Sequence, residues 1–104
     1  GFIMLRRIDY IHRNCYLGIV IGVDTERGKG YGGEAIDLIM DFAFKTLNLN
    51  KIIVEVLCGN DMALLLYKKL GFKEEGRLKQ QYYCCGEYLD VVLLSVFNQN
   101  LVNK

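Results

Sequence analysis

Two stretches of this sequence carry residue types that can do chemistry. The first is Arg27-Gly28-Lys29-Gly30-Tyr31-Gly32-Gly33. Glycines at this density let backbone N–H groups turn inward and approach a ligand with no side chain between them. The helical spacing that starts at Tyr31 adds a helix N-terminus, with its unpaired N–H donors and partial positive charge. Arg27 and Lys29 supply formal charge, so the physics specifies an anion, phosphate foremost. A glycine-rich connection with no ligand remains equally open on this segment alone.

The second stretch is Asn60, Ala63 and Tyr67, which stand at i, i+3 and i+7 on one face of a helix expected from about Asp61 to Leu70. The stripe is polar at both ends and small in the middle, which suits a narrow ligand lying alongside the helix. Met62, Leu66 and Leu70 are expected to form an ordinary core stripe instead. Taken alone, Asn60 as a helix cap and Tyr67 with its hydroxyl in solvent would account for the same residues. Beside the glycine loop, the ligand explanation is preferred.

Other chemistries fit less well. A P-loop needs Ser or Thr after its lysine, and none follows one here. Gly28-x-Gly30-x-x-Gly33 matches a dinucleotide fingerprint, which also wants an acidic residue at the end of the next strand. That strand, Lys51–Leu57, runs instead into Cys58-Gly59-Asn60, and the Gly1–Tyr10 strand lies too close to Tyr16–Val23 to be joined to it by a crossover helix. Cys15, Cys58, Cys84 and Cys85 have no C-x-x-C spacing and only His12 beside them, so reduced thiols and no metal site are expected. No Cys/His or Ser/His/Asp set can be assembled around one histidine.

The elements that must position these residues follow from periodicity. Strands are expected at Gly1–Tyr10 and Tyr16–Val23, with Ile11–Cys15 as the turn between them. A largely covered helix should run from Tyr31 to Leu47 and end at Asn48–Asn50. Lys51–Leu57 reads as a strand, followed by the second helix, with Asn60 as its cap and Gly71 as its left-handed terminator. Lys73–Cys84 and Tyr88–Phe97 read as strands joined at Cys85–Gly86–Glu87. The fold class is α/β (α+β): a mixed, mostly antiparallel sheet with packed helices in a single domain, residues 1–104. Its core is residues 1–97, and Asn98–Lys104 reads as a polar tail that frays.

Composition narrows the function classes. With 104 residues, 52% hydrophobic, and a net charge of +1, the chain lacks the basic excess of a nucleic-acid binder. Its apolar runs are too short for a bilayer, and Arg6, Arg7 and Asp9 interrupt any signal-like start, so a cytoplasmic protein is expected.

The pattern Arg27-x-x-Gly30-x-Gly32 resembles the signature of the GNAT superfamily of N-acetyltransferases. Asn60-x-x-Ala63-x-x-x-Tyr67-x-x-x-Gly71-Phe72 looks like the family's second signature at the expected distance. The ending EEGRLKQQYYCCGEYLDVVLL resembles its RimJ/RimL and spermidine acetyltransferase branch. The resemblance spans Gly1 to Phe97 and implies acetyl-CoA as co-substrate. It implies that Arg27, Gly28, Lys29, Gly30, Tyr31, Gly32 and Gly33 cradle the pyrophosphate, and that Val20, Ile21 and Gly22 pair with the pantetheine arm. Asn60, Ala63, Tyr67 and Lys69 complete the cofactor-binding positions, and Tyr67 becomes the acid that protonates the departing thiolate.

The acceptor is expected to be a primary amine: a polyamine, a protein amino-terminus, an amino sugar or a small drug. A non-catalytic acyl-CoA-binding or protein-interaction module is the alternative. Glu55 acting through water, Asp90 and His12 are candidate general bases, and none is assigned. A solvent-facing or lysine-paired carboxylate is the simpler account of Glu55. The family fold opens with a strand, two helices and another strand ahead of the segment that Gly1–Tyr10 resembles. The chain is therefore expected to be an amino-terminally truncated form whose exposed edge at Gly1–Tyr10 favours a homodimer.

Overall fold

Turn chemistry places the first two strands. In the computed structural model, which describes residues 2–20 and 31–98, β1 (Phe2–Asp9) and β2 (Asn14–Val20) form an antiparallel hairpin. Asp9 closes it: its Oδ1 accepts the N–H groups of Ile11 at 3.0 Å and His12 at 2.9 Å. The His12 amide, foremost, holds the Asp9 carboxyl below its usual range. Arg13 then adopts a left-handed φ of 61°, and the chain re-enters the strand at Asn14, two residues before the expected Tyr16. Cys15 therefore lies in β2 and in the core, not in the turn. Burial pushes its thiol up to about 11, which keeps it protonated and unreactive at neutral pH.

The remaining elements are α1 (Tyr31–Asp41), β3 (Lys51–Leu57), α2 (Asp61–Lys69), β4 (Lys73–Cys84) and β5 (Glu87–Phe97). The five strands form one sheet in the order β1-β2-β3-β5-β4, with β1 and β4 outermost. This is the mixed, mostly antiparallel sheet with helices that the periodicity predicts. Among the described residues, no helix is long and apolar enough to cross a membrane.

Packing divides the chain into two compact units, residues 1–52 with 97–104 and residues 53–96. In the first, Cys15, Leu17, Ile36, Ala43, Leu49 and Ile52 are buried. Helix α1 is less covered than its apolar content suggests: Leu38 is 72% and Phe42 49% exposed, one turn apart. After Asp41 the helix widens into a π turn over Phe42–Thr46, closed by Leu47 N–H donating to Phe42 O at 3.0 Å. Asn98 seals that end. Its Nδ2 donates to Leu49 O at 3.1 Å and Phe44 O at 3.3 Å, and its backbone N–H donates to Asn50 O at 2.8 Å. Asn98 is thus a buried anchor rather than the start of a fraying tail.

In the second unit, β3 buries alternate residues, Val54 and Val56 among them, as a half-covered strand should. Phe72, Val91, Val92, Leu94 and Val96 complete this core. The β4–β5 turn is the two-residue loop Cys85-Gly86, with φ of 54° and 83°. Two positive φ values mark the turn whose twist matches the flanking strands. Glu87 belongs to β5, opposite Cys84. Farther along, the register runs from Leu78↔Val91 to Tyr82↔Leu89, so β4 bulges there. Gln80, at φ 52°, donates its N–H to Asp90 Oδ1 at 2.9 Å across the irregularity.

Candidate active site

The end of β3 sets the start of α2. Cys58 N–H donates to Asp90 O at 2.9 Å, and Asn60 N–H donates to Leu57 O at 3.1 Å around Gly59, whose φ is 97°. Asn60 then caps the helix: its Oδ1 accepts Ala63 N–H at 3.3 Å and its carbonyl accepts Leu64 N–H at 3.2 Å. Such a cap is worth ~1 kcal/mol. The Asn60 amide nitrogen makes no hydrogen bond among the described residues, so one side chain starts the helix and still offers donors.

The other end of α2 fixes Tyr67. Gly71 takes φ 101°, a left-handed conformation that glycine adopts without a Cβ penalty. That turn lets Gly71 N–H donate to Lys68 O at 3.1 Å and Phe72 N–H donate to Tyr67 O at 3.0 Å. These are the paired return bonds of a Schellman stop, which usually carries an apolar contact between the residues at its two ends. Here that contact is aromatic. The rings of Tyr67 and Phe72 meet edge to face, with centroids 5.3 Å apart and planes at 64°. Tyr67 is therefore held through both its carbonyl and its ring.

Tyr67 is 7% exposed, and Phe72 is 1% exposed beside it. The Tyr67 hydroxyl makes no hydrogen bond among the described residues, yet no buried polar side-chain atom there lacks a partner. The hydroxyl is thus the open end of an otherwise buried side chain. Burial pushes its pKa up to about 12, so the phenol is protonated at every physiological pH. It can donate a hydrogen bond.

The other expected positions divide clearly. Ala63 is half-buried one turn before Tyr67, while Asn60 and Lys69 are exposed. Met62 is 70% exposed, so the expected core stripe of Met62, Leu66 and Leu70 is corrected: the helix turns Tyr67 inward, with Leu66 and Leu70 only half-buried. Val20 is the last described residue of β2, and Tyr31, Gly32 and Gly33 open α1, where first-turn N–H groups have no helical acceptor. Ile21, Gly22, Arg27, Gly28, Lys29 and Gly30 lie outside the described residues.

Of the candidate bases, Asp90 has structural work. Its carboxylate accepts the Gln80 N–H, and its carbonyl accepts the Cys58 N–H. His12 is an exposed residue of the β1–β2 turn, with its N–H on Asp9. Glu55 sits half-buried on the less covered face of β3 and is engaged there. Phe72 closes the second signature, but spacing assigns it no role of its own. Its signal was an aromatic directly after a terminator glycine, five positions beyond another aromatic.

A family model for the acetyltransferase (GNAT) domain matches residues 1–73, a span that contains both glycine-bearing signatures. The chain belongs to the GNAT acetyltransferase family. This GNAT domain is 35% identical over 104 residues to the spermidine N(1)-acetyltransferase of Vibrio cholerae, covering all of this chain and 60% of that protein. It is 34% identical over 97 residues to the Escherichia coli K12 spermidine N(1)-acetyltransferase, covering 93% of this chain and 52% of the relative. The putative ribosomal N-acetyltransferase YdaF of Bacillus subtilis is 29% identical over 99 residues, 95% of this chain and 54% of its own.

Among solved structures, mutant forms of the Vibrio cholerae spermidine/spermine N-acetyltransferase superpose with a TM-score of 0.88 at 35% identity. The match covers 97% of this chain and 60% of that one. A dodecameric structure of the Vibrio spermidine N-acetyltransferase gives 0.86 at 35% identity, over 95% and 57% of the two chains. The GNAT domain thus spans a little over half the length of each relative.

Proposed function

We propose that this GNAT domain transfers the acetyl group of acetyl-CoA to a primary amine of a polyamine. The observation that carries the proposal is Tyr67, a buried ring whose hydroxyl makes no hydrogen bond among the described residues, clamped at the helix end that forms the family's second signature. The spermidine acetyltransferases among the relatives support the acceptor class.

The residues fit a long, narrow, phosphate-bearing co-substrate. Gly32 and Gly33 bring bare backbone to the first turn of α1, and Ala63 leaves a small surface between Asn60 and Tyr67. Arg27, Gly28, Lys29, Gly30 and Tyr31 would hold the pyrophosphate with them, Val20, Ile21 and Gly22 would pair with the pantetheine amides, and Lys69 would add charge. Acetyl-CoA supplies the activated acyl group as a thioester. The amine, whose ammonium has a pKa near ~10.4, must lose a proton before it attacks.

Tyr67 assists as the sulfur leaves. Burial pushes the Tyr67 phenol up to about 12, above the range of an ordinary thiol, so full proton transfer to a thiolate is unfavourable. The side chain therefore acts first as a hydrogen-bond donor to the charge developing on sulfur, and the proton follows as solvent reaches the product.

Acetyl-CoA should raise the melting temperature of the chain by mass action, and NAD should not. Gly32→Asp should abolish that shift, since it sets a carboxylate against phosphate. Tyr67→Phe should keep the shift and lower spermidine acetylation by ~10²–10⁴-fold. Equal stabilisation by NAD, or a full shift in Gly32→Asp, overturns the cofactor assignment. An unchanged rate in Tyr67→Phe, with chemistry rate-limiting, removes Tyr67 from the mechanism. Binding without acetylation of spermidine, a peptide amino-terminus or an amino sugar would mark a non-catalytic acyl-CoA module.

Assembly belongs to the same proposal. β1 is an outer strand with Met4 41% exposed, and two-fold pairs are the commonest closed oligomers. Sedimentation at micromolar concentration is expected to show a species of at least twice the 11.9 kDa chain mass. A cytoplasmic setting is proposed with it. A clean monomer would set the pairing aside.

A further inference from the structure

The tip of the β4–β5 hairpin brings two thiols together. Cys84 ends β4 opposite Glu87, and Cys85 is the first loop residue, at φ 54°. A left-handed conformation costs a residue with a Cβ on the order of 1 kcal/mol or more. With Cys85 in it, the Cys85 sulfur lies 3.5 Å from the Cys84 sulfur. Both side chains are exposed, and neither is in a disulfide. Tyr83 and Tyr88, directly opposite one another, close the hairpin behind them with rings 5.0 Å apart.

Two sulfurs at this spacing are a chelating pair. To form a disulfide they would have to close to ~2.0 Å, while adjacent Cα atoms stay ~3.8 Å apart, inside the ~4.4 Å lower bound usual for such bridges. A bridging atom needs no such closure. Thiolates select soft acceptors. Zinc in a structural site wants four protein ligands, and among the described residues no group of three or more His, Cys, Asp or Glu could hold a metal. The acceptor that fits takes two sulfurs and brings its remaining substituent with it.

We propose that Cys84 and Cys85 form a dithiol site for a monosubstituted trivalent arsenical. When the site condenses with R–As=O, two S–H bonds break and two As–S bonds form. The arsenic-bound oxygen leaves as water with the two thiol protons, and arsenic stays trivalent throughout. Neither thiol is among the residues assigned to cofactor binding or acetyl transfer, so occupancy does not require acetyl transfer.

Phenylarsine oxide, added to the full chain and followed by intact-mass spectrometry, tests this. One phenylarsenic should be retained per chain, with loss of one water, and it should persist in excess glutathione, because the second As–S bond forms within one molecule. Cys84→Ser and Cys85→Ser should each release it ~10²-fold more readily, the lower range of such linkage effects. Both positions are exposed, so the circular dichroism of these variants should match the wild type. The Cys15→Ala/Cys58→Ala double variant should retain the adduct. Release from the wild type as easy as from Cys84→Ser, or full retention by the Cys84→Ser/Cys85→Ser double variant, would overturn the proposal.

Discussion

The two helices of this GNAT domain solve the same problem with different means. Each must satisfy its last carbonyls and turn the chain into a strand. Helix α2 does so with its own neighbours: Gly71 supplies the left-handed residue, and the return bond runs from Phe72 N–H to Tyr67 O. Helix α1 has Asn48 in the left-handed position, at φ 59°, and its return bond from Leu49 N–H to Ala43 O spans one residue more. The wider π turn leaves carbonyls that local groups do not reach. Distant side chains reach them instead: Arg13 donates twice to Asn48 O, at 2.9 and 2.7 Å, and Asn98 donates to Phe44 O and Leu49 O. A locally built stop can hold a functional side chain in register, whereas a remotely sealed one anchors the chain.

Substitutions at three positions probe this contrast. The largest effect is expected at Phe72, where Phe72→Ala removes the ring that packs on Tyr67 and should cost ~3–5 kcal/mol in a denaturant titration. A loss below about 1 kcal/mol would make the aromatic contact incidental to the α2 stop. Asn98→Ala comes next, at about 2 kcal/mol, because it strips a donor from a buried carbonyl. Hydrogen exchange should accelerate at Leu47 and Leu49 and stay unchanged at Leu70 and Phe72. Equal acceleration at both places would show that the two ends are not independent. Gly71→Ala is the smallest, ~1–2 kcal/mol for the left-handed conformation. Steric room does not limit it, since the added Cβ would meet only Val96 Cγ2 at 3.9 Å. Gly71→Asn should recover part of the loss, and an Ala variant as stable as wild type would mean the positive φ is dispensable.

The same contrast explains what the sequence could and could not disclose. Asn60 as cap, Gly71 as terminator and the alternating strand Lys51–Leu57 act through neighbours a few positions away, so spacing reveals them. Asn98 acts on carbonyls 49 and 54 positions earlier, and a polar residue beside a polar tail gives no local sign of that task. Cys15 lies in the strand because the Asp9 cap shortens the turn, and nothing in the local sequence distinguishes an aspartate that accepts two N–H groups from an ordinary turn aspartate. At Met62, Leu64, Leu65 and Leu66 the residues are apolar all round, so periodicity cannot choose the inward one. Spacing from Asn60 places Tyr67, while its clamp on Phe72 exists only in the folded packing.

The bulge in β4 has a consequence for how the molecule survives at high concentration. An outer strand of twelve mostly exposed residues is a template on which other copies could polymerise edge to edge. At Gln80 that template is interrupted: the backbone turns left-handed, and its N–H is spent on the Asp90 carboxylate. Irregular rims deny an incoming strand a continuous ladder. Asp90, one of the candidate bases, thus holds that irregularity in place from the neighbouring strand β5.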